Sequence, residues 1–140
     1  MKNLMIKTFF LILLAAIGSL ACAEYVVIVN PGNPSSISKD DVAHLYLAKT
    51  KSFPGGELAI PMNQPEAAGI REAFEKSVLG KSASQMKAYW SQLIFTGKAV
   101  PLKQADSDAE VVELVGKNPS AIGYVDKASV SDTVKVLFEF

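Results

Sequence analysis

The run Tyr25-Val26-Val27-Ile28-Val29-Asn30 constrains this chain more than any other segment. No polar residue alternates through it, so neither face of such a strand can meet water. It predicts a strand covered on both sides, and therefore a mostly parallel central sheet with helices packed against it.

The rest of the chain supplies those helices. Pro31-Gly32-Asn33-Pro34 breaks the strand. Ser38 and Asp41 have the spacing of a capping box, with Ile37 and Val42 placed as a staple, and the helix they open carries Val42, Leu45 and Tyr46 inward to near Lys49. Phe53-Pro54-Gly55-Gly56 is a loop tip leading to a strand over Leu58-Ala59-Ile60. A second helix shows Ile70, Ala73, Phe74 and Val78 and stops at Gly80; a third, opened by Ser82 or Ser84, carries Met86, Tyr89, Trp90, Leu93 and Ile94 and closes at Gly97. Ala99 to Leu102 is a short edge segment, and Asp106 or Ser107 caps a fourth helix with Val111, Leu114 and Val115 inward. Ala121–Val125 reads as a central strand, and Val134–Phe140 alternates as a half-covered one. The class is α/β, with about four helices flanking the sheet.

Residues 1–23 read as an export leader. Lys2 and Lys7 give a positive start, Thr8 to Leu20 an apolar run too short to span a membrane comfortably, and Ala21-Cys22-Ala23 a small-residue cleavage site. The expected location is periplasmic. Lipid attachment at Cys22 is the weaker alternative, because Leu20 sits one position off its usual place in lipoprotein signals. Cleavage after Ala23 leaves residues 24–140 as one domain with 12 basic and 14 acidic residues and no cysteine. Such a chain is held by packing alone, and its scattered Lys and Arg argue against nucleic acid or an anionic membrane as partner.

Between the second strand and second helix lies Pro61-Met62-Asn63-Gln64-Pro65-Glu66-Ala67-Ala68-Gly69. A strand, a tight loop and a helix start leave unpaired N–H groups at the positive end of the helix dipole, an arrangement suited to phosphate or carboxylate. The bland alternative is an ordinary connection whose amides cap the helix.

Four stretches in order resemble the phosphate-binding members of the periplasmic solute-binding proteins, which feed an ATP-driven importer. They are the first strand with Asn33-Pro34 and Ser38-Lys39-Asp40-Asp41; Leu45-Tyr46-Leu47-Ala48-Lys49 with Phe53-Pro54-Gly55-Gly56; Gly69-Ile70-Arg71-Glu72-Ala73-Phe74; and Glu110-Val111-Val112 with Asn118-Pro119-Ser120-Ala121-Ile122-Gly123-Tyr124-Val125. The resemblance implies one lobe of a periplasmic-binding-protein type II-like fold, whereas full-length members have two lobes closing on the anion. It implies a ligand site at Asn63, Gln64, Ala68, Gly69, Ile70 and Arg71.

Within that loop Gln64 stands for the family's Arg, Ala68 for Ser and Ile70 for Thr, and Ala48 replaces a family Gly. Charge-assisted bonds are worth about 1.5–3 kcal/mol each, so these changes remove several kcal/mol and imply a weak site for phosphate or a small polar anion. Arg71 is placed to pair with Glu66 or Glu75.

Other candidates reduce to structure. His44 lies off its helix stripe with no second His or Cys beside it, so no metal or cofactor is implied. Trp90 is a core residue by its spacing, the paired carboxylates fall at helix starts, and no nucleophile, base and orienter can be assembled. Lys98 and Lys103, with Lys49 and Lys51, read as solvated charge or as a docking rim. The expected function is a non-enzymatic binding or accessory component of an ABC import system for phosphate or a related anion, with a permease as partner. The alternative is a ligand-free periplasmic scaffold of an envelope complex. A homodimer bringing two lobes together is a further expectation, and no membrane span is expected in the mature chain.

Overall fold

The computed structural model describes residues 24–140, so residues 1–23, where the sequence suggests an export leader, and with them Cys22, lie outside the described residues. Five strands, β1 (Tyr25–Val29), β2 (Ile60–Asn63), β3 (Lys103–Gln104), β4 (Ala121–Asp126) and β5 (Lys135–Glu139), form one sheet in the order β3-β2-β4-β1-β5. Four α-helices, α1 (Lys39–Tyr46), α2 (Gly69–Phe74), α3 (Ala83–Phe95) and α4 (Asp108–Lys117), complete it. No helix among the described residues is long and apolar enough to cross a membrane.

The α/β class and the doubly covered first strand are as expected. Alternate residues of β1 feed two cores: Val27 and Val29 join Ile122 and Tyr124 under α1, α2 and α3, while Val26 and Ile28 join Val125 and Met62 under α4. Strand direction is where the structure differs. β2 runs parallel to β3 and β4, but β1 is antiparallel to both β4 and β5, so the sheet is mixed: β2, β3, β4 and β5 share one direction, as expected, and β1 is reversed. Burial on both faces makes the apolar run; it carries no information on direction, which the connections decide.

The second strand also lies further along than its apolar residues suggest. Leu58 is 61% exposed, and β2 takes in Pro61, Met62 and Asn63, which the sequence assigns to the loop. Pro61 is tolerated because the N–H of Ile60 points to β4, donating to Ser120 O at 2.7 Å. The missing donor of Pro61 thus faces the β3 side, ahead of the first β3 pair at Met62–Lys103.

Helix ends follow local chemistry. Ser38 with Asp41 and Ser82 with Gln85 form complete capping boxes, and Gly80 closes the second helix at φ 66°. Glu75–Leu79 forms a π-helical turn continuing α2. At the end of α1, Lys49 N–H reaches His44 O and Ala48 N–H reaches Leu45 O, the Schellman pattern, with Ala48 itself at φ 56°. That is the left-handed conformation for which the resembled family's glycine is suited.

Candidate functional site

β2 ends on Asn63, and the loop to α2 is tied down immediately. The Tyr124 hydroxyl donates to Asn63 Oδ1, which also accepts Gln64 N–H at 3.1 Å. Burial pushes the Tyr124 phenol well above its usual range, so it stays a neutral donor. Its ring stacks on Phe74 of α2, with centroids 4.0 Å apart and planes within 3°, joining strand and helix beneath the loop.

Gln64 is 2% exposed, and its Nε2 donates to Asp108 Oδ1 at 2.8 Å and Tyr124 O at 3.0 Å. Asp108 in turn accepts from Asp126 N–H at 3.0 Å and Ser129 Oγ at 2.9 Å through its other oxygen. Gln64 therefore points into the protein and braces α4 against β4.

Arg71 lies across the loop. Its Nη1 donates to Gln64 O at 3.0 Å and Gln104 Oε1 at 3.4 Å, and its Nε stands 3.8 Å from Glu75 Oε1. Of the two partners expected, Glu75 is the one found. Burial raises the Glu75 carboxyl above its ordinary range, with Arg71 opposing that shift.

Of the six expected site residues, Asn63 and Arg71 line an open recess of about 190 Å³, together with Gln104, Trp90, Ile94, Pro101 and Leu102. Gln64 lies inside the protein. Ala68, Gly69 and Ile70 form the helix start beside it, where no side chain caps α2 because Ala68 has no hydroxyl. Gly69 is exposed, and a Cβ built on it would meet nothing within 4 Å. The recess offers one guanidinium, two carboxamides and an indole wall, a set suited to hydrogen-bonding a small anion.

Gln104, Trp90, Tyr124 and Asp108 are the residues that sequence reasoning missed. Gln104 comes from β3, read from sequence slightly earlier in the chain, and half-buried Trp90 packs against the edge of the core while also bordering the recess. His44 is exposed on α1, and among the described residues no cluster of three or more His, Cys, Asp or Glu could hold a metal ion.

No protein-family model matches the chain, and no curated protein matches it. Solved structures do. One from Clostridium perfringens, described as a phosphate ABC transporter substrate-binding protein with bound phosphate, superposes with TM-score 0.65 at 20% identity, over 82% of this chain and 45% of that one. An ABC-type phosphate transport receptor from Vibrio cholerae gives 0.63 at 19% identity, over 82% and 46%. PstS from Borrelia burgdorferi gives 0.59 at 14%, over 82% and 47%. The chain spans about half the length of these proteins and has the fold of that half.

Proposed function

We propose that this protein is an exported lobe of the phosphate-type solute-binding kind that offers the Asn63–Arg71–Gln104 recess to phosphate or a related small anion, as a binding or accessory component of an ABC import system. The supporting observation is the meeting of the Arg71 guanidinium with two carboxamides on an open recess. The leader over residues 1–23 supports export.

Affinity is expected to be low, because the guanidinium bordering the recess is already bonded to Gln64 O. Isothermal titration with phosphate, sulfate and acetate tests this. Millimolar binding lost in Arg71→Gln supports it; no heat from any of the three overturns the ligand reading.

A second reading, a ligand-free envelope scaffold, draws support from Gln64, whose amide is held by Asp108 and Tyr124. Cross-linking in cells separates the two, since an importer component captures permease subunits. Self-association is read by sedimentation: a second copy closing over the recess predicts a dimer.

A further inference from the structure

Because β3 begins pairing only at Met62, the start of β2 and the segment before β3 enclose a groove where another pair of ladder residues would lie. Ala59, Ile60, Pro61 and Leu58 line it from one side of the sequence gap and Gly97 to Lys103 from the other, with Leu45 and Trp90 also contributing, around a volume of about 420 Å³. That is within the range of small-molecule sites, about 300–1,000 Å³. Leu45 and Ala59 are buried, giving the groove a deep apolar floor, whereas Leu58 and Val100 are 61% and 80% exposed.

Three charged residues line the groove, Lys51, Lys98 and Lys103, and all are cations. All three are exposed, and none takes part in a salt bridge among the described residues. They gather on a chain whose residues 24–140 carry more acid than base. An apolar trough beside unpaired ammonium groups complements a molecule with an alkyl chain and an anionic end.

We propose that this groove binds a free long-chain carboxylate, its alkyl chain against Trp90, Leu102 and Pro61 and its carboxylate among the three lysines. The buried floor at Leu45 and Ala59 is apolar and offers an alkyl chain a surface that inorganic phosphate does not use. A concave lining with buried Leu45 and Ala59 suits an inserted chain better than the flat surface of a bilayer. The inference stands apart from the recess, although Trp90, Pro101 and Leu102 border both spaces.

Trp90 is the chain's single tryptophan, so its fluorescence reports occupation directly. Dodecanoate titrated into the full protein below its micelle concentration should give a saturable one-site transition. Affinity should fall about two- to fourfold for each methylene removed toward octanoate. Lys51→Glu, Lys98→Glu and Lys103→Glu combined should weaken it at least tenfold, and Val100→Asp should weaken it as an independent exposed change. Arg71→Gln should leave it unaltered, which separates this proposal from phosphate binding in the recess. Absence of saturable binding, equal binding of dodecyltrimethylammonium, no dependence on chain length, or association only with phosphatidylglycerol vesicles overturns the proposal. Phosphate binding without dodecanoate binding overturns this proposal alone.

Discussion

Gly123 sits in β4 against Val111 and Val115 of α4. A Cβ there would stand 2.4 Å from Val111 Cγ1, 3.5 Å from Val115 Cγ2 and 3.7 Å from Met62 Cβ. Carbons pack at about 3.5–4.0 Å, so Val111 or the whole of α4 must yield by about 1 Å. Val111 is β-branched and has one strongly preferred rotamer in a helix; turning it about 30° away costs about 0.5–1.5 kcal/mol. Overpacking a core costs about 1–3 kcal/mol in total, and replacing glycine returns about 0.4–1 kcal/mol by restricting the unfolded chain. Gly123→Ala is therefore expected to destabilise by about 1–2 kcal/mol, read in urea as a lower midpoint at unchanged slope. Val111→Ala removes the offending methyl, so the double-mutant cycle should return a coupling of about 1–2 kcal/mol. A Gly123→Ala protein as stable as the parent, or strictly additive substitutions, would refute the close α4–β4 contact and with it the placement of Asp108 against Gln64.

Tyr124→Phe removes the hydroxyl held by Asn63 while keeping the stack on Phe74, and should cost about 1–2 kcal/mol in urea unfolding. Ala48→Gly relieves a left-handed conformation worth about 1–2 kcal/mol against about 0.4–1 kcal/mol of added unfolded-state freedom; the expected sign is a gain of up to about 1.5 kcal/mol, seen as a higher melting temperature. Glu75→Gln should stabilise at pH 7, because burial is the leading cause of the raised Glu75 carboxyl. A raised folded-state value means that the wild type regains stability as pH falls through that value toward the unfolded one, so the variant's advantage should vanish below about pH 4.3; an advantage that persists there contradicts the assignment.

Local signals in the sequence were legible where a few neighbouring residues decide the outcome. Ser38 with Asp41 caps α1, Ser82 with Gln85 caps α3, and Gly80 and Gly97 take positive φ at helix ends. What depends on distant partners was not. The direction of β1 is set by β4 and β5, and the strand status of Pro61 by where β3 starts. Gln64 is polar and sits in a loop, and nothing nearby in the chain reveals that Asp108, 44 positions later, will bury it. Trp90 has core spacing, but α3 stands over the groove left by the short β3, and only Met86 of that helix is buried.

The conformation of the loop is set by its own hydrogen bonds. In this chain many of the polar atoms around Asn63, Gln64 and Arg71 are answered from within: a neutral phenol for Asn63, a carboxylate for Gln64, and a loop carbonyl for Arg71 Nη1, while Arg71 Nε is buried without a hydrogen-bond partner. Such a network favours one loop conformation before any solute arrives, which lowers the ordering cost of binding, and it also occupies donors that a tight anion site would need. The two consequences pull affinity in opposite directions, and the donor loss is the larger, since a charge-assisted bond outweighs the ordering of one side chain. Arg71 decides between them: freed from Gln64 O its guanidinium could turn wholly toward the recess, whereas held there it acts first as a clasp on the loop and only second as a charge presented to solvent.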